Sequence, residues 1–260
     1  MILKDIIAHL EQIAPLEYQA SYDNSGLIVG NETLKVTAAV VSLDCTEDVV
    51  EEAISKGANL IIAHHPIVFS GLKKFNGSNY VERTVIKAIE NKVAIYAIHT
   101  NLDSVSNGVN KKIGDLLALQ NLQILSVNPG MDNVGAGMVG EVQNHMEETA
   151  FLQHVKKALN VPMLKYTALL NKHVKKVAFC GGSGSFLLAD AIAQGADVFI
   201  TSDFKYHQYF DAENQIVIVD IGHYEAESCT KDLICEILTE KFPTFTLHFS
   251  EVNTNPVKYL

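Results

Sequence analysis

Two histidines, His64 and His65, stand side by side where the apolar run of IIAHHPI ends, and His223 and Glu227 stand four apart in GHYEAE. Asp103 closes HTNLD, just after another apolar run. No thiolate lies among them. Imidazoles and carboxylates without sulfur suit a hard-to-borderline divalent ion: zinc, manganese, iron or cobalt. Inside a strand, neighbouring side chains point to opposite faces, so two adjacent histidines could not easily serve one site. Past the strand end they can, and Pro66 helps turn the chain there, because the residue before a proline avoids helix. His64 and His65 are therefore expected to reach two different ions. If a helix begins near His223, then His223 and Glu227 share a face, and Glu225 points to another. A bridging carboxylate and two ions about 3.5–4 Å apart would activate a shared water and polarise a substrate oxygen. His99 is expected behind the ligands or facing a substrate.

These residues need elements to place them. The chain alternates apolar β-branched runs with amphipathic ones, which implies an α/β fold with helix-covered sheets. KVTAAVVSLD ends at Asp44, Thr46 can cap the helix EDVVEEAISK, and Gly57 can close it. ANLIIAHH and KVAIYAIHTNLD are the next strands, separated by the helix NYVERTVIKAIENK. The second half repeats the scheme in VKKVAFCGGSGS, FLLADAIAQG, ADVFITSD and QIVIVDIGHYE, and a helix and the strand TFTLHF follow. AISKGANLIIAHH (53–65) aligns with AIAQGADVFITSD (191–203) without a gap, which suggests two similar α/β lobes from an internal duplication. Ser202 and Asp203 then stand opposite His64 and His65. The Gly- and Asn-rich segment 126–150 is the expected boundary, giving lobes 1–125 and 126–260. The polar residues gather after strand ends (Asp44, His64, His65, His99, Asp103, Ser202, Asp203, His223 and Glu227), where open α/β sheets bind ligands. CGGSGSF (180–186) is either a phosphate cradle at a helix start or a tight turn that needs glycine.

The 260 residues carry a net charge of -10 and no cluster of Lys or Arg, so no nucleic acid or anionic membrane partner is expected. The start MILKDIIAHLEQIAPL has charges among its apolar residues and reads as an amphipathic helix, not a leader. No apolar run approaches membrane-spanning length. The four cysteines form no CxxC pair, which points to a reducing, cytoplasmic setting.

YDNSGLIVG, AHHP, HTNLD, CGGSGS, TSDFKYH and GHYEAE, in this order, resemble the Nif-three-like dinuclear metal-centre family, whose members are named GTP cyclohydrolase 1 type 2 homologues. The resemblance runs along nearly the whole chain. It implies a metal site in the cleft between two α/β lobes, two divalent ions per subunit, and a homohexamer. Carried over by motif, the ligands are His64, His65, Asp103, His223 and Glu227, the same residues chosen above. Asp23, Asn24, His99, Tyr206 and His207 would line the cleft, with Asp23, Asn24 and Tyr206 contacting substrate. The sequence departs from the family pattern at Tyr22, where tryptophan is common, and at Ser202, where glycine is usual. The connection from Gln123 to Gly140 is too short for the ferredoxin-like domain that longer members insert, so this is the compact form.

The expected function is a metal-dependent hydrolase acting on GTP, another nucleotide or a phosphoester, with His99 or His207 moving the proton. The alternative is a metal-binding scaffold, metal-delivery or regulatory protein without turnover.

Overall fold

Short, β-branched runs that are apolar on both faces form parallel strands buried under helices, and the central strands of this chain follow that rule. The structure, a computed structural model, describes residues 1–260. In chain order it begins with α1 (Leu3–Ile13), β1 (Gly26–Val29), β2 (Ala39–Ser42), α2 (Glu47–Ser55), β3 (Leu60–Ala63), α3 (Tyr80–Glu90), β4 (Ala94–Ala97) and α4 (Thr100–Ser104). Next come α5 (Val109–Leu116), β5 (Leu119–Val127), β6 (Gly135–Glu147), α6 (Glu148–Ala158), β7 (Lys165–Tyr166) and β8 (His173–Ser183). The last elements are α7 (Leu188–Ala193), β9 (Val198–Ser202), β10 (Val217–Asp220), α8 (His223–Glu227), α9 (Thr230–Lys241) and β11 (Leu247–Phe249).

The chain forms two compact units. The first is Met1–Leu102 with Thr230–Pro256, and the second is Asp103–Cys229 with Val257–Leu260. This differs from the expected division at 125/126. Two pairings account for it: β11 runs parallel to β2, with Leu247 opposite Ala39, and draws the last helix and strand into the first unit, while β5 pairs with β6 and keeps residues 103–125 in the second. Its sheet has the order β1-β4-β3-β2-β11. Val40, Ile61 and Ile95 pack on Val49, Val50 and Ala53 of α2 and on Val85 and Ala88 of α3. Thr46 caps α2 by accepting from the Val49 N–H, and Asn79 caps α3 by accepting from the Glu82 N–H.

The second unit's sheet has the order β5-β6-β8-β9-β10-β7. Ala178, Phe199 and Ile218 from its parallel strands pack on Leu188 and Ala191 of α7. Both sheets thus contain three parallel strands in sequence order, each with a short antiparallel strand beyond the third: β1 beside β4, and β7 beside β10. Segment 126–150, expected as a boundary, is instead mostly strand, because β6 pairs with both β5 and β8. Gly135 and Gly140 in it serve close packing rather than linker flexibility. A Cβ on Gly135 would lie 2.2 Å from the Ser126 carbonyl oxygen, and one on Gly140 would lie 2.7 Å from a Leu122 methyl. No helix is long and apolar enough to cross a membrane.

Candidate metal centre

In the first unit, β3 and β4 are parallel neighbours, with Ala63 opposite Ala97. The residues just beyond them, His64, His65 and His99, therefore emerge at one sheet edge. One ring nitrogen from each of the three lies within 4.8 Å of the other two. Each imidazole is anchored through Nδ1. That atom of His64 lies 2.8 Å from the Ile98 carbonyl oxygen, that of His65 lies 2.7 Å from Asp44 Oδ1, and that of His99 lies 2.7 Å from Asp23 Oδ1. A carbonyl or carboxylate oxygen only accepts, so Nδ1 carries the proton and the lone pair of the neutral ring is at Nε2. Metal-binding histidines are commonly held in this way, with the second ring nitrogen donating to a backbone carbonyl or carboxylate. His64 is fully buried, and the other two are partly exposed.

Asp23 anchors more than His99. Its other oxygen accepts from the Thr100 hydroxyl and the Thr100 N–H. Burial alone would push its carboxyl up. The bonds from His99 and Thr100, together with the charge of His99, outweigh that and hold it well below the usual carboxylate range. Asn24 donates to the Val68 carbonyl at 2.6 Å and so ties the loop after β3 to this corner. The ring of His99, expected behind the ligands or facing a substrate, lies 5.2 Å from that of His64 and 5.3 Å from that of His65 between centroids.

In the second unit, α8 starts at His223 directly after β10, and its i, i+4 spacing brings His223 Nε2 to 3.1 Å from Glu227 Oε2. His223 Nδ1 lies 2.7 Å from Asp203 Oδ2, so this fourth imidazole is anchored like the other three. Asp203 holds the pose with a left-handed backbone, φ 61°, which is unusual for a residue with a Cβ. Glu225 points elsewhere, to the Tyr259 hydroxyl. Gly222 is required before α8: its φ is 87°, and a Cβ there would lie 2.4 Å from Glu225 Oε2.

Glu227 is buried against the glycine turn of CGGSGS. Gly182 has φ 61°, and a Cβ on it would lie 2.1 Å from Glu227 Oε1. Its carbonyl accepts from the Thr201 and Ser202 hydroxyls. Of the two readings of this turn, the structure realises the close approach that needs glycine: the turn seats a carboxylate. Asp103, on α4, has a carboxylate oxygen within 4.8 Å of one of Glu227. Burial, then the charges of Asp103 and Glu227, push the Cys180 thiol up, so it stays protonated.

Sequence reasoning missed Asn110. This buried residue donates from Nδ2 to the Asp103 carbonyl at 3.1 Å and accepts at Oδ1 from the Gly181 N–H at 2.9 Å. It joins the turn carrying Asp103 to the turn that makes room for Glu227. The only signal was a polar residue on the apolar face of the helix VNKKIGDL. Asp44 and Asp203 were noted at strand ends, but their role as imidazole anchors was not. His207 and Tyr206 are exposed on a 3-10 turn (Tyr206–Ala212) with their rings in edge contact. No hydrogen bond or ion pair orients His207. Tyr206 lines a separate cavity of about 410 Å³ with Tyr209 and Phe210.

Residues 1–256 match the model of the family Duf34/NIF3 (NGG1p interacting factor 3). A Clostridium perfringens (strain 13 / Type A) protein named GTP cyclohydrolase 1 type 2 homolog is 37% identical over 228 residues, covering 87% of each chain. A Staphylococcus epidermidis protein of the same name is 28% identical over 367 aligned positions, covering all of both chains, so that relative carries sequence this chain lacks. The solved Staphylococcus aureus protein SA1388 superposes with a TM-score of 0.90 at 29% identity, over 100% of this chain and 99% of that one. The chain therefore belongs to the Duf34/NIF3 family.

Proposed function

We propose that this protein is a metal-dependent hydrolase that holds a pair of zinc, iron, manganese or cobalt ions on His64, His65, Asp103, His223 and Glu227. The observation that carries the reading is the shared pose of four imidazoles, each with Nδ1 on an oxygen acceptor. In His64, His65 and His99 this leaves Nε2 as a lone-pair donor, whereas His223 Nε2 stands 3.1 Å from Glu227 Oε2, a contact that needs a proton on Nε2 or a cation between the two. Buried Glu227 adds a carboxylate beside one of them. Histidine and carboxylate donors without thiolate fit these metals. Such ions, when bound, supply a Lewis acid and a water of lowered pKa.

The chain's own residues then have separate tasks. Asp44 and Asp203 keep His65 and His223 in the required tautomer and orientation. His99 Nε2 takes up a proton while Asp23 stabilises the imidazolium, as imidazole chemistry near neutral pH allows. His99 suits this better than His207, because its ring is anchored. The name of the relatives makes hydrolytic opening of GTP the first activity to assay, alongside nucleotides and phosphoesters. In a panel of these substrates, metal-loaded wild type should turn one over, and the His64→Ala/Asp103→Ala variant should not. Equal turnover by both would sink the hydrolase reading. Exchangeable metal without any turnover would support a scaffold or delivery role.

A further inference from the structure

Next to His65, the first unit contains a cavity of about 620 Å³, within the range of small-molecule sites. The loop from β3 to α3 builds most of it. Ile67 and Leu72 give it an apolar wall, and Phe69 and Tyr80 line it with rings that are 49% and 59% exposed. Aromatic faces left open in a cavity are available for stacking. Phe69 also stands edge-on to His99, with ring centroids 6.4 Å apart, so a group seated on Phe69 lies next to the imidazoles.

The charges lining the cavity restrict the occupant further. No lysine or arginine lines it, and its one carboxylate, Asp44, is engaged at both oxygens, by His65 Nδ1 and the Thr254 hydroxyl. A phosphate would find no cation here and would meet a carboxylate. Cys45, also in the wall, is no nucleophile, because burial pushes its thiol up to about 12.

We propose that this cavity binds an uncharged, planar heteroaromatic ring, the part of the substrate that orients the reacting bond toward the histidines. The inference names a substrate class for the site proposed above and rests on that reading for the reaction, but ring binding itself needs no metal. The test uses adenosine as the aromatic probe and ribose 5-phosphate as the charged, non-aromatic one, each titrated calorimetrically into chelator-treated full-length protein. Adenosine should bind wild type and weaken about tenfold in Phe69→Ala and in Tyr80→Ala, the size expected for one lost stacking face. Ribose 5-phosphate should not displace it. A parallel metal titration should be unchanged in both variants, which shows that they are folded. The proposal is overturned if adenosine does not bind, if it binds Phe69→Ala as tightly as wild type, or if ribose 5-phosphate competes equally. Failure of the metal titration in wild type, with adenosine still bound, would refute the metal reading and leave the cavity assignment standing.

Discussion

Replacing Gly182 by alanine tests the link between the glycine turn and metal binding. Two effects combine at this position. The backbone has φ 61°, where a Cβ costs about 1–2 kcal/mol. The new Cβ would also stand 2.1 Å from Glu227 Oε1, 3.0 Å from its Cδ and 3.4 Å from His223 Cε1. Carbon and oxygen cannot approach that closely, so the carboxylate must swing away, and it leaves a buried position. Gly195 separates the two effects. It has φ 69° with nothing near its would-be Cβ, so Gly195→Ala carries the backbone cost without the collision. Both variants should lose about 1–2 kcal/mol in chelator-containing denaturation, with somewhat more lost for Gly182→Ala. In competition titrations against a chromophoric chelator, Gly182→Ala should bind zinc about 10–100-fold more weakly, as for a disturbed ligand shell. Gly195→Ala should match wild type. Equal affinities for Gly182→Ala and wild type, or equal losses in both variants, would refute the argument that this glycine exists to seat Glu227.

Asp203→Asn keeps the size of the side chain but removes the carboxylate from His223 Nδ1. Metal affinity should fall about 10–100-fold while the melting temperature of the metal-free protein changes little, and a matching loss in both would mean that Asp203 only supports the fold. Asn110→Ala removes a buried bridge and should cost about 1–3 kcal/mol of stability, with weaker metal binding as well; denaturation and titration of one sample check both. Asp23 governs acid stability. Its folded carboxyl lies below the ordinary value of 3.8, so its contribution is present above about pH 4 and is lost as the pH falls further. Denaturation from pH 7 down to 3 should show a shallower acid limb for Asp23→Asn than for wild type, and parallel limbs would contradict this.

The parts legible in the sequence were those set by local chemistry. Thr46 announced its helix because a capping side chain acts within three residues. His64, His65, His223 and Glu227 could be selected because strand-end placement and i, i+4 spacing are local properties. What escaped depended on distant partners. β11 joins β2 across some two hundred residues, and nothing in TFTLHF specifies which unit receives it. Gly135 and Gly140 look like linker residues until Ser126 and Leu122 are seen against them. Asn110 shows its purpose only once Asp103 and Gly181 are both in place.

Elemental analysis of the purified protein, joined to anomalous scattering above and below the absorption edge of the metal found, is the direct test of metal binding by these histidines and carboxylates. A pair of divalent ions per chain is expected. Anomalous peaks should fall beside His64 and His65 Nε2, and the metal content should be lost in the His64→Ala/Asp103→Ala variant. Protein purified without chelator that carries no stoichiometric metal and takes none up on titration would contradict it, as would metal retained in full by that variant.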